Sequence, residues 1–170
     1  AISVTSEPGE GTAFHLFFPI ATEAVEAVAE APKESTQPRS EHILYVDDEE
    51  ALVFLATRLL ERRGYRVSGF TNAVTALNQF RESPVEFDAV VTDLSMPGMS
   101  GFDLTEGIHQ IRADIPIILT SGYLQAEDQQ RAESLGIRET IQKPATAEKL
   151  AGALEKILSE QAQRVHSARR

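Results

Sequence analysis

Phe87-Asp88-Ala89-Val90-Val91-Thr92-Asp93-Leu94-Ser95-Met96-Pro97-Gly98-Met99-Ser100-Gly101 decides the fold. The run is a short apolar strand that carries one aspartate, Asp93, to its carboxyl end. Met96-Pro97-Gly98 breaks the strand and Gly101 opens the next helix. Ligand chemistry in open α/β sheets gathers outside the carboxyl ends of the strands, so Asp93 is the first candidate for a working residue.

The same grammar repeats on both sides of this stretch. Ile43 to Val46 is a continuous apolar run, as expected of a strand buried on both faces, and it ends in Asp47-Asp48-Glu49-Glu50. A helix follows with Leu52, Leu55, Leu59 and Leu60 as its apolar side, stopped by Gly64. Tyr65 to Phe70 predicts a second strand, and Asn72 caps a helix carrying Leu77 and Phe80. After the Asp93 strand comes a helix with Phe102, Leu104, Ile108 and Ile111. Pro116 to Thr120 predicts a fourth strand and Gln125 to Leu135 a fourth helix. Glu139 to Gln142 is a short fifth strand ending in Lys143-Pro144, and Thr146 caps a last helix with Leu150, Leu154, Ile157 and Leu158 inward. Strict strand–helix alternation argues for a doubly wound, flavodoxin-like (βα)5 parallel sheet in the order 2-1-3-4-5.

Bulk properties narrow the function. The chain has 170 residues, is 42% hydrophobic and carries a formal net charge of -10. That acidity argues against a nucleic-acid partner, and the terminal Arg164, His166, Arg169 and Arg170 are too few to overturn it. The absence of cysteine excludes a disulfide scaffold and thiolate zinc sites. No apolar run is long enough to span a bilayer, so this fragment is expected to make no membrane contact and to be cytoplasmic.

In a sheet of this order, strand one delivers Asp47 and Asp48, strand three Asp93, strand four Thr120 and strand five Lys143 to one crevice. Singly each has a plainer explanation: acidic residues favour a helix N-terminus, and an aspartate before Pro-Gly suits a turn. Five polar residues at the ends of four strands are not explained that way. Three neighbouring carboxylates repel one another, and oxygen-only ligands suit Mg²⁺. A carboxylate aimed beside Mg²⁺ and an ammonium is equipped to take a phosphoryl group as an acyl phosphate.

Asp47-Asp48, the Asp93 to Gly101 run, Thr120-Ser121 and Lys143-Pro144 together resemble the response-regulator receiver domain over residues 42–160. The resemblance implies that Asp93 is the phosphoacceptor. It implies that Asp48, Asp93 and the backbone carbonyl of Ser95 ligate Mg²⁺ directly, with Asp47 acting through water. Thr120 becomes the switch hydroxyl and Lys143 the charge partner, with a cis Lys143–Pro144 peptide. Two positions depart from the family pattern: Thr140 stands where an aromatic switch residue is usual, and Ala145 where an aromatic often follows Lys-Pro. Signalling is then expected to run through the helix-four loop, with Tyr123 as a substitute aromatic. Ser95 and Gly122, each two residues beyond a site residue, leave the acyl phosphate open to water and imply a short-lived phosphorylated state.

Ala1 to Pro19 alternates, turns at Pro8 to Gly11 and alternates again, a β-hairpin signature. Ser6-Glu7-Pro8-Gly9-Glu10-Gly11-Thr12-Ala13-Phe14 resembles the last hairpin of the histidine-kinase ATPase domain, which would place Gly9, Gly11 and Thr12 near a nucleotide. The earlier motifs of that domain are missing, so residues 1–20 are a remnant not expected to bind ATP. Residues 21–41, rich in Ala, Glu, Pro and Ser, read as a linker with a weakly helical start at Ala21 to Ala31, and 161–170 as a tail. The combination implies a fragment of a hybrid sensor histidine kinase. Its receiver would exchange phosphate with the kinase's phosphohistidine, in cis or in trans, or with a histidine phosphotransfer protein. The alternatives are an unphosphorylated receiver-like binding module and a Mg²⁺-dependent phosphohydrolase. The latter needs a second aspartate two residues after Asp93, where Ser95 stands. A nucleotide binder is disfavoured because no Gly-rich loop follows strand one.

Overall fold

A computed structural model describes residues 1–9, 11–18 and 40–168, the side chains of 165–168 excepted. The chain divides into two units. The first contains an antiparallel hairpin of β1 (Ile2–Glu7) and β2 (Gly11–Leu16), paired from Ile2 with Leu16 to Glu7 with Gly11. Gly9 and Gly11 carry positive φ, the conformation this turn requires and side chains resist. The Ser6 and Thr12 hydroxyls pair across the hairpin at 2.8 Å. Both strands are exposed along their length. The linker assigned to residues 21–41, with its weak helix, lies outside the described residues except for its last two.

The second unit has five strands: β3 (His42–Val46), β4 (Arg66–Phe70), β5 (Ala89–Asp93), β6 (Ile117–Ser121) and β7 (Glu139–Gln142). Five helices alternate with them: α1 (Glu50–Glu61), α2 (Ala73–Glu82), α3 (Gly101–Ile111), α4 (Ala126–Ser134) and α5 (Ala147–Ala168). All pairings are parallel and the order is β4-β3-β5-β6-β7, the doubly wound 2-1-3-4-5 that the sequence predicts. The three inner strands are buried at every residue, which is why they read as unbroken apolar runs.

Strand pleating divides the core between the two faces of the sheet. Leu44, Val46 and Val90 pack with Leu77, Phe80, Leu104 and Ile108 of α2 and α3. Ile43, Tyr45, Ala89, Val91 and Ile118 pack with Leu60, Leu150, Leu154 and Ile157 of α1 and α5. The predicted caps form: the Asn72 carboxamide oxygen accepts from the Thr75 N–H at 3.0 Å, and the Thr146 hydroxyl from the Lys149 N–H at 3.4 Å.

Two expectations need correction. Leu55 is 53% exposed, because the inward side of α1 is narrower than its leucine pattern and centres on Ala56 and Leu60. Ile111, the last residue of α3, is also exposed. α5 itself runs on through residues 161–168, within the span read as a tail. No Gly or Pro interrupts them, and the Gln161 side-chain amide donates to the Asp114 carbonyl at 2.9 Å, tying that extension to the loop before β6.

Candidate functional site

Parallel register carries the candidate residues to one edge. Val46 is level with Thr92, Asp93 with Thr120, and Ser121 with Gln142. Asp47, Asp93, Thr120 and Lys143 therefore emerge together from four adjacent strand ends.

The Lys143 ammonium sits between two carboxylates, with Nζ 2.8 Å from Asp47 Oδ2 and 2.8 Å from Asp93 Oδ1. Asp47 is wholly buried and Asp93 nearly so. The remaining oxygens are also held: Asp47 Oδ1 accepts from the Glu49 N–H at 3.1 Å, and Asp93 Oδ2 from the Ser95 N–H at 2.8 Å. Burial alone would lower the Lys143 pKa, but the hydrogen bonds and charges of Asp47 and Asp93 outweigh it and hold the ammonium well above the ordinary lysine range. Lys143 is thus a fixed positive charge against the Asp93 carboxylate. Its peptide to Pro144 is cis, and its N–H donates to the Ser121 carbonyl at 2.7 Å.

Local sequence fixes Asp93 itself. Gly101 must be glycine because a Cβ there would strike the Asp93 carbonyl, with the Leu119 side chain close behind. The Gly101 N–H also donates to the Leu94 carbonyl at 2.9 Å. Ser100 and Asp103 form a reciprocal capping box at the start of α3, anchoring the loop that follows Asp93.

Thr120 is buried, and its hydroxyl donates to the Thr92 carbonyl at 3.4 Å. The Ser121 hydroxyl donates to the Tyr123 carbonyl at 2.7 Å and accepts from the Tyr123 N–H at 3.2 Å, closing the turn after β6. The Tyr123 ring is exposed and Thr140 half-buried on β7. Asp48 and Ser95 are exposed beside the buried pair. Space is open where Gly122 would carry a Cβ. Gly9, Gly11 and Thr12 belong to the hairpin unit.

Oxygen donors alone line this edge. Asp47 and Asp93 bring two negative charges against one ammonium, and each of their oxygens has lone-pair capacity beyond the single hydrogen bond it accepts. That donor set fits a hard divalent cation such as Mg²⁺. Among the described residues no three acidic or imidazole side chains are already gathered at metal-holding range, since Lys143 fills the space between Asp47 and Asp93.

Sequence reasoning missed two residues. Arg131 of α4 reaches α3, with Nη2 3.2 Å from Glu106 Oε1 and 3.9 Å from Asp103 Oδ1, and its guanidinium lies 4.7 Å from the centre of the Phe102 ring. Its partners lie 25 or more positions away, so no local pattern marks it. Tyr45 reads as an ordinary strand residue, yet its pKa is pushed up to about 12, first by burial and then by the Asp47 charge, which keeps the phenol protonated.

The sheet and this lysine-bridged acidic edge define a flavodoxin-like α/β domain with an oxygen-donor site at the end of its central strand. Residues 43–155 match the family model for the response regulator receiver domain, and the chain belongs to that family. The sensor protein EvgS of Escherichia coli (strain K12) is 32% identical over 151 residues, which are 88% of this chain and 12% of that protein. The sensor kinase CckA of Brucella abortus (strain 2308) is 36% identical over 132 residues, 72% of this chain and 14% of that protein. This chain therefore spans a small fraction of the length of the relatives it matches. A response regulator receiver domain protein from Clostridium thermocellum superposes with a TM-score of 0.69 at 28% identity, covering 72% of this chain and 98% of that one. Among the described residues, no helix is long and apolar enough to cross a membrane.

Proposed function

We propose that residues 42–160 act as the phosphoacceptor receiver of a two-component phosphorelay, with Asp93 as the acceptor. The observation that carries this reading is the Lys143 ammonium 2.8 Å from Asp93 Oδ1 at the carboxyl end of the central strand. A carboxylate oxygen of Asp93 attacks the phosphorus of a phosphohistidine. The new O–P bond forms as the P–N bond breaks, and the ring, already protonated on its other nitrogen, takes the P–N electron pair and leaves as neutral imidazole. Lys143 offsets charge on the phosphoryl oxygens and positioning does most of the remainder. Asp47, Asp48, Asp93 and Ser95 would hold Mg²⁺, which when bound supplies further charge neutralisation at those oxygens.

The phosphoryl group adds about 1.5 to 2 negative charges and new acceptor oxygens at the sheet edge. Thr120 then exchanges its bond to the Thr92 carbonyl for one to the phosphoryl group, and the α4 face repacks.

We read the hairpin as the end of a histidine-kinase ATPase domain and residues 21–41 as a tether, in a hybrid sensor kinase working in the cytoplasm. The EvgS match, which extends well beyond the residues of the family model, supports this. The donor is then the kinase's phosphohistidine, in cis or in trans, or a histidine phosphotransfer protein. A tether raises the effective concentration of a donor in cis.

Incubation with acetyl phosphate and Mg²⁺ tests the proposal. One phosphoryl mass should be gained by the wild type and none by Asp93→Asn. No gain in the wild type would favour the unphosphorylated binding module, and a gain that survives Asp93→Asn would move the acceptor elsewhere.

A further inference from the structure

A cavity of about 640 Å³ lies between α1 and the start of α5, and no step of the phosphoryl chemistry uses it. Its walls include Leu52, Leu55 and Leu59 from α1, with Pro144, Ala145 and Leu150 from the segment after β7. The small side chains Ala56, Ala145 and Ala147 leave it open. This volume falls in the range of small-molecule sites, which are mostly apolar with a few placed polar groups.

Tyr45 supplies the placed polar group. The residue is 4% exposed and lines the cavity, and among the described residues its hydroxyl has no hydrogen-bond partner. The hydroxyl is not one of the sealed, unpartnered side-chain atoms among the described residues, which are Glu41 Oε2 and His42 Nδ1, so a ligand can reach it. A phenol can both donate and accept, and with no protein partner its O–H is free to meet a ligand's acceptor. The cavity's other charged groups select against an anion. Glu49 is on the wall, and the Lys143 ammonium is already taken up by Asp47 and Asp93. A buried carboxylate brought here would meet repulsion without a free cation to answer it.

We propose that this cavity binds a small uncharged ligand with an aromatic body and one hydrogen-bond acceptor, the acceptor meeting the Tyr45 hydroxyl. The inference does not depend on Asp93 taking a phosphoryl group. A fused two-ring aromatic carrying a ketone has the matching chemistry, with the rings against the leucines and the carbonyl toward β3.

The test is a ¹H–¹⁵N chemical-shift titration of the full chain with 2-acetylnaphthalene, and in parallel with 2-ethylnaphthalene, which has the body without the acceptor. Saturable shifts are expected at the amides of Leu52, Ala56, Ala145 and Ala147, with the ketone bound about fivefold tighter. Tyr45→Phe should bring the two probes to equal affinity. Ala145→Phe, with its dispersed spectrum retained, should weaken both roughly tenfold by filling the space. Equal affinities in the wild type, shifts centred away from α1 and the start of α5, or undiminished preference for the ketone in Tyr45→Phe would overturn the proposal. Non-saturating shifts shared by both probes would also overturn it, marking a groove suited only to a partner's side chains.

Discussion

Asp93 is fixed through its backbone as well as through its side chain. Its carbonyl lies where a Cβ on residue 101 would go, so Gly101 sets how closely α3 approaches the end of β5. Gly101→Ala should push the strand end and the helix start apart and destabilise the domain by about 1–3 kcal/mol, an overpacking cost readable as a lower urea midpoint at unchanged slope. Wild-type stability in that variant would remove Gly101 from the account. His42 gives a second residue-scale prediction. It is buried at the start of β3, with its Nε2 2.8 Å from the Ser68 hydroxyl, and its pKa is lowered, first by burial and then by the Arg66 charge, against the opposing pull of Glu86 and Asp88. The folded state therefore favours the neutral ring. Its contribution is present above the ordinary histidine pKa of 6.5 and is lost as the pH falls, because the unfolded chain takes the proton first. Between about pH 7.5 and pH 5.5 the wild-type urea midpoint should fall more than that of His42→Gln. Parallel falls would show that the lost stability comes from other groups.

Among the elements, α4 is the one least held by apolar packing. Its sequence is almost wholly polar and Ala132 is its one buried residue. The Arg131 guanidinium supplies much of the remaining attachment to α3 through Phe102, Glu106 and Asp103. Each exposed ion pair contributes little singly, but the buried Phe102 ring adds a cation–π contact. Arg131→Ala should speed amide hydrogen exchange in residues 126–134 severalfold, with the inner strands unchanged. Equal acceleration throughout the domain would instead mean global destabilisation. The elements also show what sequence makes visible. β3, β5 and β6 are legible because burial on both faces keeps their central residues apolar, and the carboxylate or hydroxyl at the carboxyl end is then a site candidate. Helix faces are less legible: the leucines of α1 outnumber the positions its one packed side can bury, so Leu55 is left at the rim of the α1–α5 cavity. The contact of Gln161 in α5 with Asp114, 47 positions away, is likewise one that no local pattern reports.

At the scale of the molecule, a single topology brings together residues as far apart as Asp47 and Lys143, 96 positions in sequence. The order of apolar runs shows that juxtaposition, because parallel strands in a 2-1-3-4-5 sheet must all end on one side. What the sequence does not show is how the charges settle: the structure closes Asp47 and Asp93 on Lys143 and leaves Asp48 at the surface. Mg²⁺ should therefore compete for an already satisfied cluster, and its binding should appear as added stability. At a free concentration near a hundred times its Kd, Mg²⁺ should raise the unfolding free energy by about 2.7 kcal/mol in the wild type, and by much less in Asp93→Asn or Asp48→Asn. No response to Mg²⁺ would remove the metal from the proposal. The central claim, that Asp93 accepts the phosphoryl group, is tested most directly by trapping the product. The chain is treated with acetyl phosphate and Mg²⁺, the acyl phosphate is reduced with borohydride, and the peptides covering positions 42–101 are sequenced by mass spectrometry. Homoserine in place of aspartate is expected at position 93 alone. Homoserine at 47, 48 or 88 with position 93 unaltered would contradict it.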